Sequence, residues 1–278
     1  MPTATNSFPS SPLALREHWV ILPTYNEAGN IRNMLDALLH LPLPLGILVV
    51  DDNSPDGTAD IVQAYQTMEP ELPIALLRRP RKAGLGRAYE AGFWWVLRYT
   101  SAQYIYEMDA DFSHPPEYLP QLAAALEEVD MAIGSRYIGG INVVNWPLSR
   151  ILLSYGASWY VRLVTGMPIK DPTAGFVGYR RPLLERILAS GSIRFQGYAF
   201  QIEMKYKAYL AGARWREVPI VFVERATGQS KMSRHVIQEA MWGVLWLRLR
   251  RKKLYEALRR QSIPLPAWDQ PTSPVEEV

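Results

Sequence analysis

The sequence predicts an α/β protein built on a mostly parallel, twisted sheet with helices on both faces. Three observations lead there. From Trp19 onward, short β-rich runs alternate with segments of helical periodicity, the pattern of strands joined by crossover helices. Several of those runs end in clusters of polar residues, as expected where ligands gather at the carboxyl edge of such a sheet. Hydrophobic residues make up 48% of the 278-residue chain, enough to bury a full-sized core.

In order, "WVILPTY" (19–25) reads as a strand and "NIRNMLDALLHL" as a helix, with Ile31, Met34, Leu35, Leu38 and Leu39 at helical spacing. Strand "GILVVDD", helix "TADIVQAYQTM", strand "PIALLRR" and helix "GRAYEAGFWWVLRY" follow. Then come strand "AQYIYEMDAD", helix "PEYLPQLAAALEEV" and strand "MAIGSRY". Beyond Arg136 the pattern changes. "NWPLSRILLSYGASWYVRLVTG" is an amphipathic helix rich in Trp and Tyr, and "KDPTAGFVGYRR" is a loop and strand. "GYAFQIEMKYKAYLAG" is a helix, and "RWREVPIVFVERATGQSKMS" is a strand ending in a polar loop. A last helix is expected over 234–260, with Val236, Ile237, Ala240, Met241, Val244 and Leu245 on one face. The expected organisation is a flexible tail (1–18), an α/β domain (19–233), a basic amphipathic helix (234–260) and a second flexible tail (261–278).

A net charge of +3 gives no argument for a nucleic-acid partner. The charge is concentrated, however: "RLRRKKLYEALRR" (248–260) carries seven Arg or Lys against Glu256 alone. With no cysteine, disulfide and thiol chemistry are excluded. The opening "MPTATNSFPSSPLAL" lacks a basic n-region and a long apolar core, so it does not read as a signal peptide. No apolar stretch approaches the roughly 18 residues that span a bilayer.

The most informative stretch is "YIYEMDADFSHPPE" (104–117). Asp109 and Asp111 stand one residue apart at a strand end, an arrangement suited to a divalent cation such as Mg2+ or Mn2+, which favours carboxylate and phosphate oxygens. The same acids also suit the first turn of a helix beginning at Pro116. Asp51 and Asp52 close another strand and can accept hydrogen bonds from a base or ribose, although "DDNSPDGT" by itself reads first as a turn. "RRPRKAGLGRAYEAG" offers cations and glycines to phosphates, or is simply a solvated basic loop. His114, before Pro-Pro, reads as a local hydrogen-bonding residue, and Asp171-Pro172 reads as a turn. Trp146, Tyr155, Trp159 and Tyr160 fit a core or a lipid-facing surface.

The motifs "VILPTYNEAGNI", "LVVDDNSPDGTADIV", "KAGLGRAYEAGF", "EMDADFSHPPE", "GSRYIGG", "DPTAGFVGYRR" and "VPIVFVERATGQSKMS" occur in the order seen in polyprenol-phosphate (dolichol-phosphate) mannosyltransferases. The chain resembles these inverting family-2 glycosyltransferases from residue 19 to about 234. The resemblance implies a GT-A nucleotide-binding fold and transfer of mannose from GDP-mannose to a polyprenyl or dolichyl phosphate. It places Pro23, Tyr25, Glu27, Val50, Asp51 and Asp52 around the nucleotide. Asp109, Ala110 and Asp111 would meet the diphosphate, with Asp109 and Asp111 holding its metal. Lys82 and Arg136 would lie near phosphates or sugar. Arg225 and Lys231 would engage the acceptor phosphate, assisted by Arg150 and Ser154. Asp109, Asp111, Arg136 and Arg225 are thus the expected catalytic set. Some members carry Gln where this chain has Ser113, a shorter side chain that leaves a ligand position to water. Related enzymes with hydroxyl acceptors often keep a base at the position of Asp171, a second reading beside the turn.

A phosphate acceptor is already anionic near neutral pH and needs no general base, so the expected catalysis is positioning plus electrostatics. Peripheral attachment at the cytoplasmic face of a membrane is expected from the basic helix and the lipid acceptor. Three other readings remain: a UDP-sugar-dependent relative transferring glucose or an aminosugar, a nucleotidyltransferase, and a non-catalytic sugar-nucleotide binder. A nucleotidyltransferase should show a Gly-rich basic signature where this chain has "PTYNEAGN", and a non-catalytic binder has no need of both acids in Asp-x-Asp.

Overall fold

The computed structural model describes residues 15–223 and 234–260. Four parallel strands open the fold: β1 (His18–Thr24), β2 (Leu45–Asp51), β3 (Ile74–Arg78) and β4 (Tyr104–Glu107). The sheet continues with β5 (Met131–Ser135), β7 (Val177–Arg180) and β8 (Trp215–Pro219), in the order β3-β2-β1-β4-β7-β5-β8. The expectation of a mostly parallel sheet holds, with β7 inserted antiparallel between β4 and β5. Two short strands, β6 (Val143–Val144) and β9 (Phe222–Val223), pair separately.

Strand alternation sends successive side chains to opposite faces. Val20 and Leu22 join Ile47 and Val49 under α1 (Ile31–Leu39), α2 (Thr58–Met68) and α4 (Leu119–Leu126). Trp19 and Ile21 join Leu48 and Val50 beneath α3 (Leu85–Tyr99), α6 (Arg181–Ala189) and α7 (Tyr198–Leu210). Each such fully buried aliphatic side chain contributes about 1.5–3 kcal/mol.

Two further helices differ in what they bury. On α5 (Leu148–Thr165), Ser158, Val161 and Thr165 face inward. Leu148, Leu152, Tyr155, Trp159 and Leu163 lie exposed along the opposite side. The single helix expected over 234–260 is two, α8 (Arg234–Leu249) and α9 (Arg251–Arg259), meeting at Arg250. The break falls within "RLRRKK", where like charges three and four residues apart oppose a continuous helix. Val244 and Leu247 of α8 are buried in the core, while Met241, Trp242, Leu245 and Leu249 are exposed. The apolar face expected on this helix is therefore divided between the domain and the surface. The side chains of Val236 and Ile237 lie outside the described residues, as do the tails 1–14 and 261–278. No helix among the described residues is long and apolar enough to cross a membrane.

Candidate active site

Strands β1 and β2 are in register at their carboxyl ends, pairing Pro23 with Val50 and Thr24 with Asp51. The Asp51 carboxylate is used locally: it accepts from the Thr24 hydroxyl (2.9 Å), the Ser54 amide (2.9 Å) and the Ser54 hydroxyl (2.6 Å). Asp51 thus shapes the turn, as the "DDNSPDGT" pattern suggested. Asp52 points elsewhere, to the Arg79 guanidinium and the Ala83 amide (3.3 Å). Burial raises its carboxyl above the ordinary range, against the opposing Arg79 charge. Glu27 receives the Asn30 side-chain amide at 2.8 Å. The Lys82 ammonium sits 3.7 Å from the centre of the Tyr25 ring, so these two residues of separate loops meet. The Lys82 loop is pinned from behind. The Gly86 amide donates to the Gln196 carbonyl (3.1 Å), and a Cβ at Gly86 would lie 2.3 Å from the Phe195 carbonyl oxygen.

Strand β4 ends at Glu107, earlier than the sequence pattern suggests. The chain turns there, with Phe112 at φ 61°, and the Ser113 amide donates to Asp111 at 3.0 Å. The Asp109 amide donates to His114 Nδ1 (3.1 Å), so His114 is a local hydrogen-bonding residue as the sequence implied, here as the acceptor. Burial holds the imidazole pKa down to about 4, so His114 is neutral and stacks on Phe176. Ala110 is buried between the two acids. Among the described residues no group of three or more His, Cys, Asp or Glu forms a complete metal cluster. Asp109 and Asp111 are the residues whose carboxylate oxygens could hold a hard divalent cation here, such a cation commonly taking one or two carboxylates with water or phosphate oxygens.

Beyond β5, the Arg136 guanidinium grips Asp171 in a bidentate pair, Nε to Oδ2 at 2.8 Å and Nη2 to Oδ1 at 2.6 Å. The Arg136 amide adds a third bond (3.0 Å), and Nη2 also reaches the Thr173 hydroxyl (2.7 Å). Burial alone would push the Asp171 carboxyl up, but the Arg136 charge and hydrogen bonds outweigh it and hold it below the usual range. A carboxylate so held is a poor base, which decides between the two sequence readings of Asp171 in favour of structure. Glu217 of β8 supports the same loop by accepting the Asp171 amide (3.0 Å), the Lys170 amide (2.9 Å) and the Ser135 hydroxyl (2.9 Å).

Asp109, His114 and Arg136 line one cavity of about 480 Å3. Arg150 and Ser154 of α5 line it too, with Arg150 4.1 Å from the Trp146 ring centre and Ser154 accepting from Tyr137 at 2.7 Å. The outer wall is apolar, with Leu153 and Ala157 of α5 and Met241 and Val244 of α8 among its lining and the exposed Leu152 at its edge. The Tyr160 hydroxyl donates to the Met241 carbonyl (3.2 Å) and joins the two helices. Pro23, Tyr25, Glu27, Val50, Asp51, Asp52 and Lys82 are absent from this lining and form a separate group at the ends of β1 to β3. Arg225 and Lys231 lie outside the described residues.

Sequence reasoning missed Thr173, Gln201, Lys205 and Glu217 as contributors, and it offered Arg79 only as one cation of the "RRPRKAGLGRAYEAG" loop. Thr173 lay within the quoted "DPTAGF"; Gln201, Lys205 and Glu217 lacked a motif. Gln201 and Lys205 belong to a buried polar group with Glu107, in which burial raises the Glu107 carboxyl and lowers the Lys205 ammonium while each charge resists the other's shift.

The sequence model of Glycosyl transferase family 2 matches residues 19–188. A polyprenol monophosphomannose synthase of Mycolicibacterium smegmatis is 45% identical over 231 residues, 81% of this chain and 86% of that protein. An undecaprenyl-phosphate mannosyltransferase of Micrococcus luteus is 42% identical over 229 residues, 81% of this chain and 93% of that one. Among solved structures, a Pyrobaculum calidifontis mannosyltransferase in complex with GDP-Man and Mn2+ superposes with a TM-score of 0.53 at 18% identity, covering 93% of this chain and 76% of that one. A glucosyl-3-phosphoglycerate synthase from Mycobacterium tuberculosis gives 0.56 at 17% identity, covering 86% and 80%. At such identities the structural likeness is one of fold, and that fold is the expected GT-A.

Proposed function

The chain belongs to glycosyl transferase family 2, and we propose that it transfers mannose from GDP-mannose to a polyprenyl phosphate, with inversion, giving polyprenyl-phosphate mannose and GDP. The observation that carries this reading is the divided character of the cavity. Its floor holds Asp109, His114 and Arg136, and its outer wall is the apolar cleft between α5 and α8. That combination suits an acceptor with an anionic head and an isoprenoid tail. The two mannosyltransferase relatives, named for polyprenol and undecaprenyl phosphate, support the same acceptor class.

In this reading an oxygen of the acceptor phosphate attacks the anomeric carbon. The bond from that carbon to the diphosphate breaks, and its electron pair leaves with GDP. Because the acceptor is already ionised, the residues have to align it and offset charge. Arg136 faces the cavity with its position fixed by Asp171 and Thr173. Arg150 stands at the α5 side of the cavity, and Arg225 and Lys231 are assigned to the acceptor phosphate from the family resemblance. Asp52 and its neighbours at the β1 and β2 ends take the base and ribose. Asp109 and Asp111 would hold Mg2+ or Mn2+, whose contribution when bound is to neutralise the departing diphosphate.

The exposed apolar sides of α5 and α8, followed by the cations of α9, support peripheral attachment to the cytoplasmic face of a membrane. The test is to incubate purified protein with GDP-mannose or UDP-glucose and a short polyprenyl phosphate. Mannolipid from GDP-mannose alone is expected; glucolipid from UDP-glucose alone would overturn the donor assignment.

A further inference from the structure

Lys205 of α7 is wholly buried, and its ammonium donates to the Ala174 carbonyl at 2.6 Å and to Gln201 Oε1 at 3.1 Å. The Gln201 side-chain amide in turn donates to the Glu107 carboxylate. Each end of this chain of bonds is next to reacting machinery. Glu107 is the last residue of β4, two before Asp109. Ala174 lies in the 171–176 loop with Asp171 and Thr173, which hold Arg136. In the same loop Gly175 faces His114, where a Cβ would come within 3.1 Å of the ring. Lys205 therefore closes a ring beneath the cavity that joins the β4 tip to the loop supporting Arg136.

The ammonium serves the Ala174 carbonyl and both the backbone and side-chain oxygens of Gln201, but burying it costs far more than burying a neutral donor. Fold alone gives little reason for a cation here, since a buried ion pair is often replaceable by neutral groups without loss of stability. We propose that Lys205 is a positioning residue for glycosyl transfer. Through Ala174 it sets the height of the 171–176 loop, so that Arg136 and Asp109 face one reacting centre. This rests on the glycosyltransferase reading of the cavity, but the tie itself can be measured without turnover.

Lys205→Met alone would strand the Glu107 charge, so the deciding variant is Glu107→Gln/Lys205→Met, which leaves no unpaired charge. It should fold with an unchanged circular dichroism spectrum, at some cost in thermal stability because the Ala174 carbonyl and Gln201 Oε1 lose their donor. In the absence of divalent metal it should bind GDP within twofold of wild type by calorimetry, because no member of the ring touches Asp51 or Asp52. Hydrogen exchange over residues 172–176 should quicken, with β2 still protected. With GDP-mannose and a short polyprenyl phosphate, kcat should fall at least tenfold and the donor KM change less than threefold. Unchanged exchange at 172–176, kcat within twofold of wild type, or a loss of GDP affinity matching the loss of kcat would each overturn the proposal. If the wild-type protein proved inactive with this donor, that would count against the mannosyl reading, and exchange would still decide the role of Lys205.

Discussion

Replacing Asp171 by Ala removes the acceptor of three hydrogen bonds from Arg136 and leaves that guanidinium, whose side chain is 10% exposed, with the Thr173 hydroxyl in place of its carboxylate. Breaking a buried ion pair by deleting one partner typically costs about 3–5 kcal/mol. In a domain of this size each kcal/mol is worth about 2–4 °C, so Tm should fall by roughly 6–20 °C. The pH dependence has a definite sign. The folded carboxyl lies below its usual range, so its contribution is fully present above the unfolded pKa of about 3.9 and disappears only as pH falls through the folded value. The stability gap between wild type and variant should therefore be flat through neutral pH and narrow only in acid. Urea unfolding at pH 7 and at pH 3 measures it. Arg136→Met/Asp171→Leu, with no buried charge, should regain most of the lost stability while remaining inactive. A loss below about 1 kcal/mol in the single variant, or no recovery in the double, would refute the account of this pair.

Asp111→Asn should abolish transfer with the circular dichroism spectrum unchanged; activity at the wild-type rate would remove Asp111 from the metal assignment. Asp52→Ala should raise the donor KM and leave acceptor dependence alone, as steady-state titration of each substrate will show. Arg225→Ala should weaken transfer much more than binding of GDP-mannose, and calorimetry showing equal losses would move Arg225 to the donor side. Truncation before α8 would expose the core that Val244 and Leu247 fill, so Trp159→Ser/Trp242→Ser is the better probe of attachment. This variant should sediment less with anionic vesicles and retain its rate on a short acceptor in detergent; equal sedimentation would reject these faces as the anchor.

The first half of the fold was readable because β1 to β4 and the helices between them carry strong periodicity and short connections. Residues such as Val20 and Leu22 announce one face, and Trp19 and Ile21 the other. The later half was less readable. Helix α6, "RPLLERILA", follows β7 without a punctuating turn, and the two-residue strands β6 and β9 are too short to leave a pattern. In the site, Asp109 and Asp111 were visible because they are neighbours in sequence. The Arg136–Asp171 pair was not, since 35 residues separate its members. Lys205 and Glu107 were hidden for a related reason. A charged residue within a helix or strand reads as a solvated position until the tertiary structure shows it enclosed.

The antiparallel insertion of β7 also bears on how the chain assembles as it is synthesised. Strands β1 to β4 can pair with one another as soon as they emerge. β5 cannot, because its sheet neighbours among the described residues, β7 and β8, come later in the chain. At roughly 5–20 residues per second, the segment from Ser135 to Val177 takes several seconds to appear. For that time the apolar "MAIGS" strand waits without these partners, behind strands β1 to β4. The non-local closure by β7, slow because its loop must be ordered first, then brings in residues 171–176 at the same moment. The nascent protein thus acquires the ends of β1 to β4 seconds before it acquires the support of Arg136.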